Sequence, residues 1–383
     1  MRNSTPHIEP LAVPERRIAI NGRFLTQAIT GVQRYALEVV RALDKLLADG
    51  LIPTPTEPVQ ILAPPGTHIA EPFQTLQLRH VGHGNGQLWE QLSLPLYCRN
   101  AVLFTPAGGS PLLHRRHVFT LPDAGVFATP QAYTAAYRAW YSTHHRLAVT
   151  NPDLQLLTVS QFSRRELART LHLDPAKIAV TLEGHEHALA PTADPTILGR
   201  LGLHPGGFLL GVGSANPNKN FQALLAAFGI LRDTMPPDTA PTLVVVGGGD
   251  ARIFGADAHA LEGVVRAGYL TDGELRALYE AAAAFLFPST YEGFGLPPLE
   301  AMALGCPVIC SNAASLPEVV GNAALMVDPH DAPAIAAAMR TLLTDAAARH
   351  DLIGRGRAQA ARFTWEATAI ATWNLLLASA RTQ

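Results

Sequence analysis

Short, dense runs of apolar residues alternate along this chain with longer stretches in which apolar positions recur every third or fourth residue. The dense runs fall at residues 17–20, 59–62, 101–104, 118–121 and 156–159, with a further one at 178–182. They resume at 208–212, 243–246, 264–267, 284–287, 308–310 and 325–327. None has a polar face, the pattern of strands covered on both sides by helices. The periodic stretches at 32–47, 161–171, 219–231, 272–283 and 332–343 predict those helices. Regular alternation of the two predicts an α/β fold built on parallel sheets.

The pattern lapses between residues 184 and 206. Residues 189–195 are rich in Pro, Ala and Thr, and His204, Pro205, Gly206 and Gly207 make a strong break before the next strand. The expected units are an N-terminal domain over 1–190 and a C-terminal domain over 191–365. Ligand is expected in the cleft between them, at the carboxyl ends of the strands. Residues 366–383 predict a helix, with Thr364 as its N-cap and Ile370, Trp373, Leu376 and Leu377 on its packing side. Periodicity leaves open whether this helix stays on the second domain or crosses back to the first.

Composition narrows the function. The chain has 383 residues, 48% hydrophobic and only 16% charged, with a formal net charge of −2. That balance supplies two cores and no basic surface for nucleic acid, so no nucleic-acid partner is expected. Cys98, Cys306 and Cys310 form neither a metal-type nor a disulfide-type pattern, which suits a reducing cytoplasm. Residues 1–14 are polar and Pro-rich and lack the layout of a signal peptide. No apolar run approaches the ~18 residues of a spanning helix, so the expected location is cytoplasmic, with peripheral contact at the inner face of a membrane left open.

The strongest chemical signal is STYEGFGLPPLEA at 289–301. Gly293 and Gly295 let backbone amides approach a ligand, and Pro297 and Pro298 suit the first turn of a helix. Such a helix start favours an anion, for instance a diphosphate. Glu292 and Glu300 bracket that anion, which suits a nucleotide sugar with a charged middle and hydroxyl-rich ends. The loop NPNKN at 216–220 follows a strand and carries one cation, Lys219, positioned either to neutralise a phosphate or simply to be solvated. Gly31 begins a second loop-to-helix junction, readable as a ligand-facing turn or as an ordinary helix start. His185, Glu186 and His187 follow the run at 178–182; a sugar or phosphate contact fits that place better than a metal, because adjacent alternating residues rarely converge on one ion. No Asp-x-Asp pair is present to clamp Mg²⁺ on a diphosphate. Two basic clusters, at 114–117 and 138–146, suit anionic head groups or a lipid-diphosphate acceptor, or else a solvated face. There is no Gly-x-Ser-x-Gly elbow or Walker loop, and Gly247, Gly248 and Gly249 read as a tight turn after a strand.

The second half resembles the retaining glycosyltransferases of family four, which have the GT-B fold of two Rossmann-like domains facing each other across a cleft. The resemblance runs from Phe208 to Asp331 through the Lys219 loop, Gly268, Tyr269 and Leu270, the 289–301 run, and Leu316 to Val319. It is weaker in the first half, through Gly31 to Tyr35 and Val159 to Ser163; Leu88 to Gln91 resembles a bacterial polysaccharide subgroup of mannosyltransferases. The resemblance implies that Glu292 lies near donor sugar hydroxyls, Glu300 binds ribose and Lys219 contacts the diphosphate. It implies that Gly293, Phe294, Gly295 and Leu296 hold phosphate through backbone, with Gly268, Tyr269 and Leu270 near the base. It also implies that transfer retains anomeric configuration without metal or cofactor. Two positions depart from the family. Asn218 stands where an Arg is common, and Pro122 stands before Asp123 where a His is common. His185 is the candidate to replace that histidine.

The resulting expectation is a hexosyltransferase, with mannose the first sugar to test. Its partners would be a GDP- or UDP-linked donor and a glycan or lipid-diphosphate-linked acceptor in cell-surface polysaccharide synthesis. The alternatives are a non-catalytic sugar-nucleotide-binding protein and a nucleotide-sugar epimerase or phosphorylase on the same fold.

Overall fold

The structure is a computed structural model describing residues 16–214, 216–236, 239–247 and 262–381. The polar stretch at 1–14 and the glycines at 248 and 249 lie outside the described residues. Two wholly parallel sheets account for the alternation. The first contains β1 (Arg17–Asn21), β2 (Gln60–Ala63), β3 (Gln77–His80), β4 (Ala101–Thr105), β5 (His117–Thr120), β6 (Leu154–Thr158) and β7 (Ile178–Val180), in the order β3-β2-β1-β4-β5-β6-β7. The second contains β8 (Phe208–Val212), β9 (Thr242–Val246), β10 (Val264–Gly268), β11 (Ala284–Phe287), β12 (Val308–Ser311) and β13 (Ala324–Val327), in the order β10-β9-β8-β11-β12-β13. Each reverses strand order beside its first strand, which opens a crevice at the carboxyl ends.

The apolar runs predict the central strands to within two residues at either end. β3 escapes them because Gln77, Arg79 and His80 are exposed on an edge strand with no run to read. Helices begin where caps allow. Ser160 accepts the Ser163 N–H at the start of Gln161–Leu171, and Thr271 forms a capping box with Glu274 at the start of Asp272–Ala281.

The carboxyl ends of the two sheets face one another, and several bonds cross between the halves. Ser160 and Ser163 donate to the Gly293 carbonyl at 2.6 and 3.0 Å. Glu318 accepts the Gln161 and Phe162 N–H groups at 2.9 and 3.2 Å, capping a first-half helix with a second-half carboxylate. The final helix, Trp365–Arg381, packs on helix Gly31–Ala48 and on strands β1, β4 and β5. Its Trp373 indole donates to the Pro53 carbonyl at 3.2 Å, and Trp365 meets Tyr35 edge-to-face. One continuous apolar cluster therefore runs from Val39 and Phe104 through Trp373 and Trp365 to Phe294 and Phe285. Among the described residues, no helix is long and apolar enough to cross a membrane.

Candidate active site

The loop after β8 is shaped by its asparagines. Asn216 accepts the Asn218 N–H at 2.9 Å and tightens the turn Pro217–Lys219. Asn220 adopts the left-handed region at φ 55°, which Asn tolerates, and its amide donates to the Pro288 and Pro329 carbonyls at 3.1 and 2.7 Å. These bonds fasten the lysine loop to the loops after β11 and β13. The Lys219 stem then runs over Gly213, where an added Cβ would lie 3.1 Å from Lys219 Cγ. Its Nζ reaches Glu292 Oε1 at 2.7 Å, above the ring of Phe287. The residues expected at the donor's sugar, Glu292, and at its diphosphate, Lys219, are thus an ion pair in this structure.

Beyond Glu292 the chain turns into helix Leu296–Ala303. Ser315 Oγ lies 3.0 Å from the Glu292 carbonyl and 2.6 Å from that of Phe294, while Gly293 is held by the two serines of the first half. The carbonyls of this turn are therefore engaged. None of the N–H groups of Gly293, Phe294, Gly295 and Leu296 has a protein acceptor among the described residues. Four adjacent donors at a helix start, with an ammonium nearby, form an anion cradle. Gly293 cannot be larger: an added Cβ would lie 2.9 Å from Asp123 Oδ2 and 3.1 Å from the Pro122 carbonyl. Asp123 accepts the Gly125 N–H at 2.6 Å. Burial raises its carboxyl above the usual range; the Gly125 bond lowers it, Glu292 adds to the rise and Lys219 opposes it.

Glu300 lies one turn further along. Tyr279 donates to its Oε2 at 3.1 Å, and His187 Nε2 approaches Oε1 at 2.8 Å. Trp365 settles the histidine tautomer. An indole N–H only donates, and it meets His187 Nδ1 at 3.0 Å, so the proton that bonds Glu300 is on Nε2. Burial pushes the Glu300 carboxyl up, but the bonds from His187 and Tyr279 outweigh it and hold the group below its ordinary value. A cavity of about 70 Å³ opens beside it, lined in part by Arg34, Asp272, Arg276 and Tyr279. Arg34 bonds both Asp272 oxygens, at 2.8 and 2.7 Å, across the cleft. Gly31, one turn earlier on the same helix, is exposed with open space over its Cα. Gly268 ends β10 at φ 68°, leaving Tyr269 86% exposed and Leu270 partly buried before the capping box. A larger cavity of about 610 Å³, lined by Gly206, Thr234 and Arg340 among others, touches none of these residues.

Several expectations change. Asn218, which stands where an Arg is common, has its side-chain amide donating to Thr129 Oγ1 at 3.0 Å, bridging the halves. His185 Nδ1 is bound to the Phe363 carbonyl at 2.7 Å, and the histidine joined to a site carboxylate is His187. Glu186 accepts the Trp365 N–H at 3.0 Å. The histidines of the basic clusters, His114, His117, His144 and His145, are buried, and burial lowers all four. Sequence reasoning passed over Tyr279, Thr129 and Glu183. Glu183 is buried, and burial followed by the charges of Glu300, Glu292 and Asp123 raises it far above the carboxylate range. It also passed over the buried pair of Arg23 and Glu90, 3.3 Å apart. No local signal marks these contacts, because the partners are distant in the chain.

Comparison with known proteins agrees with this geometry. Residues 207–345, the span carrying the lysine loop and the anion cradle, match the family described as glycosyl transferases group 1. The chain is 36% identical over 267 residues to the O-antigen chain mannosyltransferase B of Escherichia coli, covering 67% of this chain and 69% of that protein. The chain belongs to the group 1 glycosyltransferases. A second similar protein is the longer serotype-specific mannosyltransferase WbdA of Escherichia coli, 38% identical over 179 residues, which are 43% of this chain and 21% of that protein. The fold is GT-B, shared with Anabaena Alr3699/HepE, solved with UDP and glucose, at a TM-score of 0.67 and 15% identity over 94% of this chain and 98% of that one. As a group 1 glycosyltransferase the chain is a hexosyltransferase.

Proposed function

We propose that this glycosyltransferase moves mannose from a GDP- or UDP-linked donor onto a glycan or lipid-diphosphate-linked acceptor in cell-surface polysaccharide synthesis, retaining anomeric configuration. The observation that carries the reading is the Lys219–Glu292 pair beside the unpartnered amides of Gly293 to Leu296. The amides take the diphosphate, and Lys219 exchanges Glu292 for a phosphate oxygen as negative charge grows on the leaving group. Glu292, released, accepts from a donor sugar hydroxyl. Glu300, ionised and oriented by His187 and Tyr279, accepts from ribose. Asp123 stands on the first-half side of Gly293, where an acceptor hydroxyl would arrive. The cation and the helix start supply positive charge without a metal, which supports a metal-independent donor site. Mannose is supported by the mannosyltransferase relatives.

The test is a thermal-shift panel of GDP, UDP, ADP and their common sugar conjugates, with and without EDTA, followed by turnover with the donor selected. A shift with one nucleotide that EDTA leaves intact, and an α-linked product from an α-linked donor, are expected. No shift with any nucleotide, or an inverted product, would sink the reading.

A further inference from the structure

More than half of the large apolar side chains left exposed among the described residues lie between Leu88 and Leu147. Residues 86–97 form one helical run, widened to a π-turn over Trp89–Ser93. Leu88, Leu92 and Leu96, spaced by four, lie on its outer side, and Leu88 is 74% exposed. Trp89, Glu90 and Leu94 are buried on the inner side. This run is joined to two neighbours. Gln87 donates to Tyr141 OH at 2.7 Å, on helix Ala135–Ala148, which exposes Tyr137 and Trp140. Gln91 donates to the Ser110 carbonyl at 2.9 Å and accepts the Leu112 N–H at 3.0 Å, placing beside it a loop whose Leu113 is 80% exposed. The leucine ridge, the loop tip and the aromatic helix therefore form one surface.

Its charge is one-sided. Residues 81–150 contain five arginines and only two carboxylates, Glu90 and Asp123, in a chain whose overall charge is −2. Glu90 is fully buried, and Asp123 is held at the cleft by Gly125. Arg99 follows the ridge, Arg115 follows the Leu113 loop tip, and Arg138 and Arg146 lie on the aromatic helix; all four are exposed, and Arg115 pairs with Asp153 just beyond the segment.

We propose that this face docks on an anionic lipid bilayer. Leucines and a tryptophan on a polar domain enter the boundary between head groups and acyl chains, and a rim of arginines meets lipid phosphates. Helix Ala135–Ala148 follows Thr129, which contacts Asn218, so docking brings the first-half wall of the cleft to the membrane surface. The proposal extends the transferase reading by naming the surface from which a lipid-linked acceptor is reached, and it rests on that reading only for this last step.

Flotation of the full chain with vesicles of phosphatidylcholine, alone or mixed with phosphatidylglycerol, tests it. Binding to the mixed vesicles, weakened by salt, is expected. A Leu88→Ser, Leu92→Ser, Leu113→Ser variant should lose at least about tenfold of that binding. An Arg115→Glu, Arg138→Glu, Arg146→Glu variant should lose the preference for the anionic lipid, and a Met326→Ser control on the second half should lose nothing. Both patch variants should keep the nucleotide thermal shift of the parent, which shows them folded. No flotation of the parent, or equal flotation of parent and patch variants, overturns the proposal. So does a concentration-dependent dimer that the patch variants abolish, because the occupant is then a second copy. Vesicle binding without any nucleotide shift would remove the donor reading and leave the docking face standing.

Discussion

In the C-terminal half, Lys219 and Glu292 sit in loops at the carboxyl ends of β8 and β11, next to backbone amides that no protein group uses. In the N-terminal half, the turn after β1 carries Arg23, which pairs with Glu90 from the helical run 86–97, and both are sealed from water. Asn21 donates to Glu90 at 2.7 Å, and His117 is held between Ser110 and Thr105 at 3.0 Å from each hydroxyl. Gly108 and Gly109 lie against this pair: added Cβ atoms would come within 2.8 Å of Arg23 and 2.7 Å of Glu90. One fold plan thus serves two purposes. The second half leaves polar groups unpaired for a ligand, whereas the first uses them to set loop shape and turns an apolar, arginine-rimmed face outward.

Breaking the sealed pair should have the largest effect. Arg23→Met at pH 8 strands a buried carboxylate and should cost about 3–5 kcal/mol in urea unfolding. Burial raises Glu90 to about 7, with Arg23 and Asn21 opposing that rise, so adding Glu90→Gln should recover most of the loss. If Arg23→Met is as stable as the parent, the pair is not the organiser described.

The buried histidines sharpen the contrast through pH. Burial lowers His145 from 6.5 to about 3, and it packs among the rings of Phe119, Phe127 and Tyr141 with Nδ1 unpartnered. A depressed histidine is neutral in the folded protein, so the unfolded chain takes up the proton first as pH falls below 6.5. Stability is then lost between 6.5 and about 3. His145→Phe removes that loss. The variant should gain on the parent by on the order of 1.4 kcal/mol per pH unit across that window, with no change in their difference above it. A constant difference across the window would show that His145 titrates normally.

In the second half the effect should fall on turnover instead. Lys219→Ala should lower turnover at least tenfold, roughly 1.4 kcal/mol, with little change in melting temperature. Normal turnover would remove Lys219 from the mechanism. The smallest effect belongs to the bond between the halves. Asp272→Asn breaks an ion pair whose aspartate is half exposed, and should cost no more than about 1 kcal/mol of stability. A larger loss would mean that this pair, and not the Trp365–Arg381 helix, holds the halves together.

The legibility of the two halves differs for the same reason. The lysine loop, the glycine turn and both glutamates are each contiguous with a strand or helix whose period is visible, so their places were readable. Glu90 was not readable as a buried charge, because it sits inside a leucine-rich run whose outer face is also apolar. β3 was hidden by its polar edge, and the bond from Asn218 to Thr129 was not readable because nothing near Asn218 in sequence reveals it.

By itself, the sequence determined the α/β class, the central strands and the helix start after Gly295, since each follows from local spacing and from backbone freedom at glycine and proline. The tertiary structure alone decided which charges meet. Lys219 finds Glu292 across 73 residues, and His187 rather than His185 reaches Glu300 across 113. It also decided that the last helix crosses to the first sheet and that the basic-cluster histidines are buried. Pairings of that length depend on which faces pack together, and packing is a property of the whole surface that residues share rather than of any local period.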